Sequence, residues 1–424
     1  MHKKTNSLKL VQIIFSILFV TLCSSCSKKE DRIVIWTSSS EFAPYIELFN
    51  SQHNTKAVLV YKENPAAALP PANDELKPDI IFGSYLRNNK TKSYFESLDY
   101  LFDRQYLSTD DFYPALRKSG EIFHEQFLLP VSFNLPVVMF SLENKDFVKD
   151  NYTISLDKIK TTGTEYIQKN KKGHFTRIGF APQSNKTFLY TTTKLFNTKF
   201  KETKNQDFTY NKEALANSIS YIIDWINTEH ESIQTESDFV YKYLSIVDSK
   251  RVFSDRTLFT YTTSDKLFQL PSDQLAKIDF RWIQQDNQIP VEDSMTMLGI
   301  SKWATNHAGA TEFISWFFNP ETQKKFLEQK SQLHPNTVKF GITGGFSAVR
   351  EVNEKILPTF YTKLLSNIPP ADSLNVTEPK SVHWEKIKAK VIIPYIEDSI
   401  KLQEGQKIKT LEERYSDWKK QGLN

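Results

Sequence analysis

An apolar run from Leu128 to Ser141 reads LLPVSFNLPVVMFS, with Pro130 near its start and Pro136 in its middle. Continuous Leu, Val, Phe and Met suit a strand covered on both faces, while the two prolines argue against a long helix or one regular central strand. The chain is therefore expected to bend here. One α/β pattern begins before the run, at Ile33, and a second begins after it, near Ile178, so the run should carry the backbone from one lobe to another. In the first pattern Ile33–Trp36 predicts a strand. Phe42, Tyr45, Ile46 and Phe49 follow at the i, i+3, i+4, i+7 spacing of a helix with one buried face, with Ser40 as N-cap and Pro44 in the first turn. Ala57–Tyr61 and Pro78–Ser84 predict two more strands, separated by a proline- and alanine-rich connection, and Asp79 reads as a structural residue at the start of the second. In the second pattern Ile178–Pro182, Leu258–Ser264 and Phe280–Ile283 read as strands. Phe188–Phe196 and Glu213–Ile226 read as helices, and charged amphipathic helices between Trp384 and Trp418 should wrap the second lobe.

The amino terminus changes the picture of where this chain works. Lys3, Lys4 and Lys9 precede an apolar stretch from Leu10 to Leu22, too short for a membrane span, and small residues then lead to Cys26. This resembles a bacterial lipoprotein signal. It implies removal of residues 1–25, acylation (palmitate) of Cys26, a tether over 26–32, and export to the periplasmic or outer face of a membrane. Cys23 and Cys26 are the only cysteines, so no disulfide remains after processing and a core must supply the stability. With 424 residues and 39% hydrophobic content, the chain can fill two lobes of ordinary size. The net charge is +4, and loss of the three signal lysines leaves 51 basic against 50 acidic side chains, a balance that argues against a nucleic-acid partner.

Candidate chemistry lies where strands empty into small polar residues. The carboxyl ends of parallel strands open into a ligand crevice, which singles out Ser38, Ser39, Ser40 and Glu41 after the first strand and Ser84 and Tyr85 after the third. Tyr261, Thr262, Thr263 and Ser264 do the same in the second lobe, with Gln183 after the Ile178 strand. No G-x-S-x-G elbow or H-E-x-x-H is present and the eight histidines are scattered, so no enzyme, metal site or cofactor is expected.

Met297-Leu-Gly-Ile-Ser301, then Ala310, Phe313 and Trp316, then Pro320-Glu-Thr-Gln323 resemble the return segment of family 1 extracellular solute-binding proteins, the maltose-binding-protein-like receptors of ABC importers. Ile33–Phe49 resembles that family's first strand and helix, Leu129–Asn144 its first crossing, and Gly344-Gly345 its late glycine loop. The resemblance implies a two-lobe periplasmic-binding-protein fold, α/β, each lobe a mixed sheet flanked by helices, with three interlobe crossings. It places lobe 1 at 33–130 plus 298–333 and lobe 2 at 131–297 plus 334–424. It also implies a lipid-anchored monomer that binds a solute between the lobes by hinge closure and hands it to ABC permease subunits. Sugar sites combine stacking faces with hydrogen-bonding groups. Trp36, Tyr85, Phe133, Tyr261, Trp282 and Phe346 are the candidates for the first role. Glu41, Asn134, Gln183, Thr262 and Thr263 are candidates for the second, with the serines above and Gly344 and Gly345 beside them. The alternative is an envelope interaction lipoprotein on the same scaffold, without a transported ligand.

Overall fold

The computed structural model describes residues 31–149, 152–205, 207–332, 338–365, 367–403 and 405–422. The signal, Cys26 and most of the tether lie outside the described residues, among which no helix is long and apolar enough to cross a membrane.

The first sheet opens with β1 (Arg32–Thr37), crosses back through helix α1 (Phe42–Gln52), and continues with β2 (Lys56–Tyr61) and β3 (Ile80–Gly83), all parallel. Helix α1 buries Phe42, Tyr45, Ile46 and Phe49, the four positions its spacing predicts. Its N-cap differs from expectation. Glu41 occupies it in an α conformation, and Ser40 contributes only its carbonyl, to the Ala43 N–H at 3.2 Å. The apolar run then splits as its prolines require, into β4 (Leu129–Phe133) and β5 (Pro136–Ser141), which lie in different sheets.

The second sheet adds β6 (Thr153–Ser155), β7 (Thr260–Thr263) and β8 (Ile278–Gln284) to β5, in the order β7-β5-β8-β6. Helices α2 (Leu156–Thr164), α3 (Lys186–Leu195), α4 (Lys212–His230) and α5 (Ile233–Tyr243) belong to this half. Ile178–Pro182 does not form the expected strand; it makes a single bridge, Ile178 to Thr257, beside β7. The chain returns through β9 (Ile289–Pro290) to β10 (Thr296–Ile300), followed by α6 (His307–Phe318) and α7 (Pro320–Ser331). Asn319 caps α7 by accepting the Glu321 and Thr322 N–H groups, with Pro320 first in the helix, as the sequence predicts. Strand β11 (Phe346–Ser347) completes the first sheet, in the order β11-β4-β10-β3-β1-β2. Strand β12 (Leu374–Asn375) pairs with β9, and α8 (Ile393–Ile400) and α9 (Leu411–Lys420) pack on the second lobe through Ile396, Ile400, Leu411 and Trp418.

Two boundaries differ from those the sequence suggested. All of β4 belongs to the first sheet, so the passage between lobes falls at Asn134–Leu135, not between 130 and 131. Strand β11 belongs there too, because Phe346 pairs with Phe133, so part of 334–424 lies with the first lobe. The aromatic side chains explain why. Phe346 lies 5.6 Å from both Phe133 and Trp282 and 5.0 Å from Phe340, and Phe340 stacks on Phe268 at 4.6 Å, so one apolar body runs from the first sheet to one face of the second.

Within the second lobe, α2 approaches the Ile178 segment at a glycine pair: a Cβ on Gly179 would stand 2.1 Å from the Gly163 Cα. Gly179→Ala is expected to cost about 3 kcal/mol, because backbone must move to admit the methyl group. Urea denaturation checks this, and an unchanged midpoint would mean that the two backbones are not in contact.

Candidate functional site

Both sheets present edges to the space between them. Strand β4 runs parallel to β3, both being antiparallel to β10, so Thr37, Gly83 and Phe133 end at the same edge of the first sheet. On the second sheet the facing edge begins at Pro136, which pairs with Thr263. The joint Asn134–Leu135 is clamped. The Ser264 Oγ accepts the Leu135 N–H at 3.1 Å and donates to Asn134 Oδ1 at 2.6 Å, while Asn134 Nδ2 donates to the Gly344 carbonyl at 2.9 Å. A Cβ on Gly345 would sit 2.6 Å from the Phe133 carbonyl, so glycine there permits the approach. Asn134, Gly344 and Gly345 therefore build the joint.

The predicted stacking residues are mostly consumed by packing. Trp36, Phe133, Trp282 and Phe346 are all 0–1% exposed. The Trp36 indole donates to the Leu76 carbonyl at 3.1 Å and carries the Lys62 ammonium 4.4 Å from its ring centre, while Trp282 donates to the Asn367 carbonyl at 3.1 Å. Tyr261 is buried with its hydroxyl 2.8 Å from Thr191 Oγ1, and Thr262 and Thr263 are buried beside it in β7. Gln183 bonds within its own lobe, its N–H to Glu236 at 2.8 Å and its amide to the Ile233 carbonyl at 3.2 Å. Glu41 pairs with Lys330 at 2.9 Å. Ser38 and Ser40 stay exposed and Ser39 half-buried. Ser84 donates to the Ser294 carbonyl at 2.6 Å, and the Tyr85 hydroxyl donates to Glu385 of the other lobe. Asp79 is structural: its carboxylate takes the Val34 N–H at 2.7 Å and the Thr305 N–H at 2.6 Å.

What sequence reading missed is the segment from Val376 to Glu385, a strap between the lobes. Towards the second lobe, the Pro379 carbonyl accepts the Glu202 N–H at 3.0 Å and the Lys380 ammonium donates to the Phe200 carbonyl at 2.6 Å. Towards the first, Asn64 Nδ2 donates to the Val382 carbonyl at 3.1 Å, and the Val382 side chain joins Trp36, Leu69, Leu86 and Met297 in an apolar cluster. Asn89 links the lobes directly as well, its N–H to Glu202 at 2.7 Å and its amide to the Thr203 carbonyl at 2.9 Å.

Behind the strap lies a buried charge cluster centred on Asp293, in the return passage between β9 and β10. Its carboxylate accepts the Tyr190 hydroxyl, the Thr377 hydroxyl at 2.9 Å and the Trp384 indole N–H at 2.9 Å, and pairs with Lys194 at 3.3 Å. Burial alone would push this carboxyl up. The Lys194, Lys380 and Lys388 ammoniums together with Tyr190 outweigh it and hold the group well below the usual carboxylate range. Burial, opposed by Lys194 and reinforced by Asp293, raises the neighbouring Glu292. Burial beside Glu385 and Asp293 also pushes the Tyr85 phenol well above its ordinary value, so it acts as a donor. Two small cavities flank the strap. One, about 60 Å³, faces Tyr85, Arg87 and Met297 of the first lobe; the other, about 160 Å³, faces Lys194, Asn197 and Lys199 of the second.

Among solved structures, the sugar-binding protein MalE from the phytopathogen Xanthomonas citri matches with a TM-score of 0.63 at 12% identity, over 92% of this chain and 96% of that one. The fold is that of the sugar-binding receptors. The bacterial solute receptor AcbH, whose exclusive preference is for β-D-galactopyranose, matches with a TM-score of 0.61 at 12% identity, over 93% of this chain and 100% of that one. The cyclic α-maltosyl-1,6-maltose binding protein from Arthrobacter globiformis matches with 0.58 at 13% identity, over 91% and 96%. No family model matches the sequence, and no curated protein matches it. The two-lobe α/β architecture expected from the return-segment motifs is thus the observed one, and the sugar-receptor likeness spans nearly the whole described chain.

Proposed function

We propose that this protein is an extracytoplasmic receptor for a carbohydrate, anchored through an acylated Cys26, monomeric, and serving the transmembrane subunits of an ABC importer. What supports the reading is a fold whose solved neighbours bind sugars, together with the ends of β1, β3 and β4 meeting at one edge of the first sheet. The serine run Ser38–Ser40, with Ser84 and Tyr85, supplies hydroxyls at that edge, and the receptor itself carries out no chemistry. Lobe movement about the passages at Asn134–Leu135, at 285–295 and at 348–383 would admit the solute, with closure as a population shift towards the form that touches it from both sides. Because the strap bridges the lobes, solute entry requires the strap to leave the first lobe.

A second reading has a specific observation behind it. Trp36, Phe133, Trp282 and Phe346 have no free face, and the strap already ties the lobes together, both of which favour an interaction lipoprotein that takes no transported ligand. Thermal melting of the form beginning at Ser27, against mono- and oligosaccharides, separates the two. A ligand at about 100 times its dissociation constant adds roughly 2.7 kcal/mol and raises the midpoint by a few degrees. A shift with one class of sugar is the expected result; no shift with any sugar leaves the interaction protein as the reading.

A further inference from the structure

The cavity of about 160 Å³ beside the strap is lined by Lys194, Lys199 and Lys380, with Asn197, Asn375 and Thr377 between them and Phe200 and Pro290 as apolar wall. We infer that this cavity binds a small oxyanion, a phosphate, sulfate or carboxylate group, between the Lys194 and Lys380 ammoniums and the Lys199 side chain. The oxyanion chemistry stands on the cavity alone; only an anionic sugar as its source rests on the receptor reading above.

Charge balance carries the argument. Among the described residues Glu378 is the only carboxylate on the wall, and it has its own partner in Lys201 at 3.5 Å. Lys194 is neutralised by Asp293 and is also explained by its place in the last turn of α3, where helix-end carbonyls favour a cation. Lys380 feels Asp293 only from beyond contact distance, and its ammonium lies 5.4 Å from the Trp384 ring centre. It comes from the strap, is 5% exposed, and donates to two carbonyls, Phe200 at 2.6 Å and Glu378 at 2.9 Å, leaving one N–H of its three. Among the described residues no carboxylate stands within ion-pair distance of it. An ammonium taken out of water with no carboxylate in contact is costly, and burial, with the neighbouring Lys194 and Lys388, lowers its pKa to about 8 against the more distant pull of Asp293 and Glu378. An anion in the cavity would supply the missing charge to Lys380 and to Lys199, which is exposed at the cavity mouth. The volume of about 160 Å³ exceeds by roughly tenfold the ~10–15 Å³ that one water requires, so a tetrahedral oxyanion has room.

Isothermal titration of the form beginning at Ser27 tests this with sodium phosphate and sodium sulfate, at ionic strength matched with chloride. Saturable binding of one of them is expected, weakened roughly tenfold or more by Lys199→Glu and by Lys380→Met, as for loss of a charged hydrogen bond. Lys199 is a surface residue, so its variant reports even where Lys380→Met fails to fold. No binding of either anion, or of glucuronate or glucose 6-phosphate, overturns the inference, as does equal binding by native protein and the Lys199→Glu variant. Binding of glucuronate or glucose 6-phosphate but not of the free ions supports it, with a sugar substituent as the source. Neutral sugars binding while every anion fails removes the oxyanion site and keeps the receptor; free anions binding while all sugars fail keeps the site and removes the receptor.

Discussion

Asp293→Ala is expected to destabilise the protein by about 3–5 kcal/mol, the range for removing one partner from a buried ion pair. The side chain is fully buried and the Lys194, Lys380 and Lys388 ammoniums gather about it; Lys388 keeps Glu385 at 2.8 Å, but loss of Asp293 leaves Lys194 and Lys380 in low dielectric without the carboxylate they share. It also strands the Trp384 indole N–H and the Tyr190 and Thr377 hydroxyls, each of which uses that carboxylate as acceptor. The sign of the acid dependence follows from the depressed pKa. The stabilisation from Asp293 is fully present above the ordinary carboxylate range and is lost as pH falls below it towards the depressed folded value. Equilibrium denaturation of native protein and variant, at pH 7 and again near pH 3, measures both effects. The gap between the two proteins should narrow in acid; a gap that is small at pH 7 would mean that water, and not Asp293, balances the lysines.

Val382→Asp is expected to release the strap and separate the lobes without unfolding either of them. Val382 is 6% exposed in a cluster with Trp36, Leu69, Leu86 and Met297, where a carboxylate has no partner. The contacts it shares with Asn64 hold this part of the strap on the first lobe, whereas the other end stays fixed by Lys380 and Trp384 in the second. Small-angle scattering should show a larger radius of gyration for the variant. Far-ultraviolet circular dichroism should be unchanged. An unaltered scattering profile together with a lowered melting temperature would make Val382 an ordinary core residue of one lobe, with no role in holding the lobes together.

Much of the architecture was legible because it rests on local rules. The two prolines in the run from Leu128 to Ser141 forced a break, and the chain changes sheets between them; Asn319-Pro320 and the spacing of Phe42, Tyr45, Ile46 and Phe49 located helices correctly. The Trp36 assignment as a stacking face failed to anticipate its burial for a physical reason. Strand β1 is covered on both sides, Ile33 and Ile35 by one cluster and Val34 and Trp36 by another, so alternation along it carries no information about which side meets a ligand. The Asp293 cluster was illegible for a different reason. Its members are non-local, Trp384 standing 91 residues from Asp293 and Tyr190 103, and the strap that gathers them has no hydrophobic period. The one local hint was the density of lysine around Trp384, which reads equally well as a solvated helix face.

The shared aromatic body and the strap stand at different places on one lever. Phe133 and Phe346 sit at the β4–β11 edge of the first sheet, while the residue after Asn64, Pro65, lies over Gly83 of β3, three strand spacings from β11 in the sheet order. At about 4.8 Å per spacing that arm is roughly 14 Å long, so turning one lobe by about 15° about the aromatic edge carries Asn64 some 4 Å, beyond reach of the Val382 carbonyl. Phenylalanine rings packed at the pivot hardly move during such a turn. The molecule can thus be rigid at its fulcrum and still come unlatched at its rim by a rotation that ordinary domain motion supplies.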